Sequence, residues 1–200
     1  SAYPTTHANS YYELTSNLSP YTRVQYDNGY IGSNGNLISG VSSYSLFSSA
    51  GENSTFTLSN YLGYSSSTPN ISTTNGSLFS DMLLGYEYLI TTNDLTDRTY
   101  LSLERQHDDM YLYKYKYTFP RAFNLQNIIT PDKEASFVDN QNDLAKMLGS
   151  TTQIMSKYDN IIIEELTGLS KVSDSTKIDY KISFSAQSNG ILYLYKDNMQ

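Results

Sequence analysis

The chain has 200 residues, with 13 Lys and Arg against 20 Asp and Glu for a net charge of −7. That length suits one compact domain, or two small subdomains sharing a core, and needs no covalent staple. Without cysteine there is neither a disulfide framework nor a thiolate metal site, and the sparse, scattered basic residues argue against a nucleic-acid partner.

Only 16% of the residues are Asp, Glu, Lys or Arg, where a cytosolic domain carries about a quarter. Ser, Thr, Asn and Tyr supply the polarity instead, with 20 Tyr and no Trp. Such a surface is expected of secreted and wall-facing proteins. No run of about 20 apolar residues is present to span a bilayer, and no signal peptide is recognisable. Ser1-Ala2 reads as a cloning remnant, so the chain is expected to be a piece of a longer protein whose anchors lie elsewhere.

Residues 1–20 are polar and show no clear period. Residues 22–26 alternate and predict a short strand, closed by the turn signal Asp27-Asn28-Gly29. Gly29, Gly32, Gly35 and Gly40 then punctuate a loop, and residues 33–40 are read as non-helical. Tyr44, Phe47, Phe56, Leu58, Tyr61 and Leu62 stand at mixed spacing and predict two short helices within 41–64, before a second loop over 65–77. A short helix leads through Leu83-Leu84-Gly85 into a buried strand at 86–92.

Residues 100–103 and 110–117 predict a hairpin with Arg105-Gln106-His107-Asp108-Asp109 at its tip. Its second arm is the clearest strand in the chain. Tyr111, Tyr113, Tyr115 and Tyr117 share one face; Met110, Leu112, Lys114 and Lys116 share the other. Pro120 ends it. A helix is predicted over 141–155, with Asn140 as N-cap and Leu144, Met147, Leu148, Ile154 and Met155 on one stripe. Residues 160–166 read as a strand. Ile178, Tyr180, Ile182 and Phe184 alternate with polar residues, and Asn189-Gly190 turns into a further strand at 191–195. The expected class is α+β, mainly antiparallel sheet with a few short helices. Residues 1–118 form a mixed subdomain with the Tyr-rich hairpin; 119–200 form a helix plus β-meander sharing the same core.

Chemistry-bearing motifs are sparse. His7 and His107 are the only histidines, so a Ser-His-Asp triad or a His-based metal site needs one of them. His107 beside Asp108 and Asp109 is the better placed, but a solvated hairpin tip is much the simpler account of it. No G-x-S-x-G, P-loop, H-E-x-x-H or EF-hand pattern occurs. Gly29, Gly32 and Gly35 lack the helix that a phosphate cradle requires, and are read as loop. Asp94 with Asp97, and Asp108 with Asp109, are too few oxygens for calcium. Glu13, Glu52, Glu87, Glu104, Glu164 and Glu165 are available for glycoside hydrolysis, but nothing selects two of them. The tyrosines offer either a saccharide-stacking platform or ordinary strand filling. No cofactor and no metal are called for.

In order along the chain, several segments resemble the extracytoplasmic portion of YfhO-type bacterial membrane proteins. They are Tyr21-Thr22-Arg23-Val24, Ser42-Ser43-Tyr44-Ser45-Leu46-Phe47-Ser48-Ser49 and Leu83-Leu84-Gly85-Tyr86-Glu87-Tyr88-Leu89-Ile90. Tyr111-Leu112-Tyr113-Lys114-Tyr115, Phe119-Pro120-Arg121-Ala122-Phe123, Phe137-Val138-Asp139-Asn140-Gln141-Asn142 and Gly190-Ile191-Leu192-Tyr193-Leu194-Tyr195 follow. The family pattern usually has Lys where Glu87 stands and Glu where Asp139 stands, and often Leu for Phe119.

The resemblance implies a polytopic Gram-positive membrane protein related to lipid-linked-sugar glycosyltransferases of the GT-C kind. Such proteins decorate teichoic acids or other wall polymers at the extracytoplasmic face of the cell membrane. The catalytic acid then lies in a loop near membrane helices that this chain lacks, so no catalytic residue is assigned here. The expected partners are a cell-wall glycopolymer or lipid-linked sugar and the protein's own transmembrane helices. The candidate binding residues are Arg23, Arg121, Asn140 and Asn142. Arg121 is suited to fork onto a phosphate or carboxylate, although pairing with a nearby acid is the simpler account; Asn140 is a helix cap before it is a ligand contact. A free-standing carbohydrate-binding or adhesin module is the alternative, and an extracellular glycoside hydrolase a more distant one.

Overall fold

The computed structural model describes residues 8–27, 35–47, 53–64, 70–73, 76–125, 135–157, 162–172, 175–185 and 190–193. Among these, the elements run α1 (Ala8–Thr15), β1 (Val24–Tyr26), α2 (Gly35–Ser39), β2 (Leu46–Phe47), α3 (Asn53–Tyr61), β3 (Asn70–Ile71), α4 (Leu78–Leu83) and β4 (Tyr88–Thr91). They continue through β5 (Leu101–His107), β6 (Met110–Tyr115), α5 (Phe137–Met147), β7 (Ile162–Val172) and β8 (Ser175–Ser183).

The alternation of β6 has a direct structural outcome. The strand lies inside a four-stranded sheet of order β1-β4-β6-β5, and successive side chains leave on opposite faces. Met110 and Leu112 pack on one face with Tyr11, Leu14, Val24, Tyr26 and Ile90. Tyr113 and Tyr115 pack on the other with Tyr86, Leu89 and Leu101. β1 runs parallel to β4 while the other neighbours are antiparallel, so the sheet is mixed and the class is α+β.

Helix α1, covering the first face, has no counterpart in the apolar pattern of residues 1–20. Its inward side consists of Ser10, Tyr11, Leu14 and Thr15, related by three- and four-residue spacings. Half of that face is hydroxyl, which hides the period. Thr15 Oγ1 is satisfied by the carbonyls of Tyr11 and Ser39 at 2.7 and 3.2 Å.

Other elements also differ from expectation. Residues 35–39 form a single helical turn, not a loop, and the described residues of 41–64 hold one helix preceded by the short strand β2. The predicted loop at 65–77 contains β3, which pairs with β2. In the Tyr-rich hairpin, β5 continues to His107 and the tip shrinks to Asp108-Asp109, with Asp108 in the left-handed region at φ 52. A register break between Leu103 and Arg105 absorbs the change.

The C-terminal helix begins earlier than predicted. Ser136, in extended conformation, accepts from the Asp139 N–H at 3.3 Å, and its hydroxyl donates to Asp139 Oδ2 at 2.5 Å. This reciprocal cap places Asn140 inside the helix. Gly149, at φ 95, turns the chain out, so Ile154 lies exposed instead of extending an apolar stripe. β7 and β8 form an antiparallel hairpin longer than the predicted strands, but residues 190–193 are not extended into a third strand. Residues 194 and 195 of that expected strand, and the Asn28-Gly29 turn, lie outside the described residues.

α5 is keyed to the first half by polar contacts. Gln141 is fully buried, with its Oε1 at 2.5 and 3.0 Å from the hydroxyls of Ser77 and Ser80 and its Nε2 donating to Tyr61 O at 3.3 Å. Phe137 lies against Gly63, where an added Cβ would approach Cε2 to 2.1 Å.

The second face of the sheet has a polar centre. Asp81 on α4 accepts from Gln25 Nε2 at 2.7 Å, Tyr64 OH at 2.8 Å and Tyr115 OH at 3.2 Å. Gln25 also donates to Thr73 O at 2.6 Å, and its Oε1 accepts from Tyr115 at 2.5 Å. β1, β6, α4 and the segment before α4 therefore share one buried network. Burial pushes the Asp81 carboxyl from 3.8 up to about 7, against the lowering effect of its three donors.

Folded Asp81 thus keeps a proton that the unfolded chain releases near 3.8. Its stabilising contribution is complete below that value and is lost as pH rises towards about 7. Chemical unfolding of the wild type between pH 5 and 7 should show a loss of about 1.4 kcal/mol per pH unit that Asp81→Asn removes. Parallel profiles for the two proteins would refute this assignment.

Candidate functional site

Segments distant in sequence meet where β1 enters the sheet. The Arg23 carbonyl accepts from the N–H groups of Glu87 and Tyr88 at 2.9 and 3.2 Å. This continuation of the β1–β4 pairing sets Glu87 beside Arg23, whose N–H lies 3.4 Å from Glu87 Oε1. The Arg23 side chain is held twice. Nη1 donates to Leu84 O at the end of α4 at 2.6 Å, and the guanidinium lies 5.0 Å from the Tyr44 ring centroid. Tyr44 in turn meets Tyr86 edge-on at 6.0 Å.

Arg121 reaches the same corner from the C-terminal end of β6, which lies beside the starts of β1 and β4. After β6 the chain folds onto α4, where the Phe119 N–H donates to Met82 O at 3.0 Å and the Phe119 and Phe79 rings meet edge-on at 6.1 Å. Arg121 Nη2 then donates to the Tyr21 carbonyl and lies 3.4 Å from Glu87 Oε1. Its side chain is 51% exposed and that of Glu87 38%, while Tyr21 and Tyr44 are also solvent-exposed. Glu87 thus meets the guanidinium of Arg121 and the main-chain N–H of Arg23, while the Arg23 guanidinium lies over Tyr44, in a chain of net charge −7. Chemically the corner offers forked donors for an anion beside an aromatic ring suited to a sugar face.

Gly85 makes the approach feasible. It sits at φ +67, and an added Cβ would come to 3.0 Å from Arg23 Nη1. A side chain here would strain the backbone and press on the arginine together.

Of the predicted site residues, Arg23 and Arg121 are brought together through Glu87. Asn140 and Asn142 have their polar atoms engaged elsewhere. Asn140 Nδ2 donates to Ala135 O at 3.3 Å. Asn142 Oδ1 accepts from the N–H groups of Ile154 and Met155 at 2.9 and 3.0 Å, and its Nδ2 donates to Met155 O at 3.0 Å. Tyr44 and Glu87 are the members that no binding assignment from sequence included. The signal was their position within the family-like segments.

The histidine at the hairpin tip does acquire a serine and an aspartate. Ser10 Oγ donates to Asp108 Oδ2 at 2.9 Å and lies 3.2 Å from His107 Nδ1. Asp108 Oδ2 is itself 3.2 Å from that same nitrogen. A triad places the acid and the hydroxyl on opposite ring nitrogens; here both crowd one. Ser10 is also 1% exposed, so its oxygen faces no substrate. The cluster pins α1 to the hairpin. Asp94 is likewise spent, accepting from Thr96 N–H at 3.0 Å and Oγ1 at 2.8 Å and from Tyr113 OH at 3.2 Å. The Thr96 N–H chiefly accounts for its lowered pKa. Among the described residues, no group of three or more His, Cys, Asp or Glu is arranged to hold a metal ion.

The model of the family described as bacterial membrane protein YfhO matches residues 2–200. The chain belongs to the YfhO family. No curated protein and no solved structure matches it. Among the described residues of this YfhO-family chain, no helix is long and apolar enough to cross a membrane. The corner is assembled from four of its family-like segments, those holding Arg23, Tyr44, Leu84 to Glu87, and Phe119 to Arg121.

Gly85→Ala should cost about 1–2 kcal/mol in urea unfolding, since an alanine is forced into the left-handed region. A loss below about 0.5 kcal/mol would show that the turn relaxes freely and that Arg23 is not held by it.

Proposed function

We propose that this chain is the extracytoplasmic domain of a YfhO-family membrane protein that takes part in glycosylating anionic cell-wall polymers. In this reading, the domain recognises and positions a teichoic-acid-type acceptor or a lipid-linked sugar at the Arg23–Tyr44–Arg121 corner. Bond making belongs to membrane helices outside the described residues. The observation that carries the reading is the convergence of two arginines and a tyrosine ring on one exposed corner. Family membership supports the membrane setting, and the hydroxyl-rich, weakly charged composition supports the external face.

Guanidinium forks match the paired oxygens of phosphate esters, and charge-assisted bonds of this kind are the stronger class. Tyr44, met edge-on by Tyr86 and covered on one face by the Arg23 guanidinium, is a fixed ring whose exposed part is offered to the sugar of a repeat unit. The exposed Tyr21 and Tyr44 also favour a second reading, a carbohydrate-binding module that acts without membrane partners. The two readings share a site and differ in the ligand. An anionic acceptor depends on Arg121 and weakens as salt rises, whereas a neutral glycan depends on Tyr44 and tolerates salt. A hydrolase needs two carboxyls facing one cleft. Asp81, whose carboxyl pKa burial pushes up, is enclosed within the core network and faces no cleft of that kind.

Calorimetric titration of the chain with teichoic-acid fragments should show binding that Arg121→Ala weakens about tenfold or more, the scale of one charge-assisted pair. Unchanged affinity in Arg121→Ala would remove the corner from consideration. Loss confined to Tyr44→Ala, with neutral glycans as the preferred ligand, would establish the carbohydrate-binding module instead.

A further inference from the structure

Glu87 is the anomalous member of the corner. An anion site has no obvious use for a carboxylate, yet this one lies against the Arg121 guanidinium and the main-chain N–H of Arg23. We propose that Glu87 is an internal competitor, its carboxylate occupying on Arg121 the place that a ligand phosphodiester takes, so that binding proceeds by displacing Glu87. This inference rests on the corner being the anion site.

The way Glu87 is held supports exchange. Its Oε1 stands 3.4 Å from both the Arg23 N–H and Arg121 Nη2, at the long end of hydrogen bonding, whereas Arg23 Nη1 holds Leu84 O at 2.6 Å. With side chains 51% and 38% exposed, the Arg121–Glu87 pair is screened by water and inexpensive to open. The backbone of Glu87 is fixed independently, through its N–H bond to the Arg23 carbonyl at 2.9 Å. Its side chain therefore swings away without moving the strand. Arg121 is retained by the Tyr21 carbonyl, so the guanidinium stays in place after the carboxylate leaves. That is preorganisation for an incoming anion.

Charge defines the ligand class. A phosphodiester carries one negative charge, as a carboxylate does, so it can replace Glu87 as the anionic partner of Arg121. A neutral sugar gives Arg121 no reason to release Glu87. The competitor therefore selects phosphodiesters over uncharged glycans, trading affinity for discrimination. A phosphodiester occurs both along a wall polymer and in a lipid headgroup.

The test titrates the 200-residue chain, Glu87→Gln and Asp97→Asn with a short poly(glycerol phosphate) oligomer, with phosphatidylglycerol vesicles and with a neutral trisaccharide. Asp97 is a control for net charge, being 79% exposed and paired with Arg98 at 3.7 Å. Glu87→Gln should bind the phosphodiester probes about three- to fivefold more tightly, the scale of an exposed ion pair, while Asp97→Asn follows the wild type. Glu87→Ala should shift in the same direction. Tightening with the oligomer alone assigns the site to a polymer; tightening with vesicles alone assigns it to a headgroup. Equal or weaker binding by Glu87→Gln, with Arg121→Ala still defective, would overturn the competitor role and leave the corner standing. If Arg121→Ala binds normally, or neither wild type nor Glu87→Gln binds, both the corner and the competitor are refuted.

Discussion

The bidentate use of Gln25 is the interaction on which the rest of this structure depends. Its Nε2 donates to Asp81 on α4 and to the Thr73 carbonyl, and its Oε1 accepts from Tyr115 on β6. One amide thereby fixes a short strand, a helix and the strand two places away across the sheet. β1 has only three residues, too few to hold a position by ladder bonds alone. Because Arg23 stands at its N-terminal edge and Leu84 at the end of the helix that Gln25 grips, the exposed corner inherits its geometry from a buried one. A partly satisfied polar core would be costly. Here each acceptor of Asp81 has a donor, and the tyrosines surrounding it keep their protons because burial and its charge both oppose ionisation.

Legibility in the sequence followed the kind of signal each element carries. β6 alternates between apolar and aromatic positions, so both its existence and its two-faced burial follow from period alone. β4, with the short helix before it, was readable because Gly85 separates two apolar runs. α1 was not, because its buried side uses Ser10 and Thr15, which pay for burial through hydrogen bonds and not through apolar area. Similarly, α5 reads four residues too late when Asn140 is taken as the cap. Ser136 and Asp139 form the cap, and their signal is the serine–acid spacing instead of the apolar stripe.

The site was legible in part. Arg23 and Arg121 stand out as basic residues within recurring segments, and the fold does bring them to one place. What joins them is Glu87, whose contribution depends on a parallel pairing between strands more than sixty residues apart, invisible to local pattern. Asn140 and Asn142 stand in an equally family-like segment, but their amides are used to bond the backbone on either side of α5. A motif thus marks both corner-forming and chain-holding residues, and only the hydrogen-bond partners distinguish them.

The docking of the segment after β6 has a mechanical side. Phe119 is fastened to the carbonyl of Met82, two residues before the Leu84 carbonyl that takes hold of Arg23. Tension applied to the chain beyond Arg121 is therefore delivered to the last turn of α4 and, through it, to the arginine that frames the corner. The outgoing chain and the exposed corner share one lever.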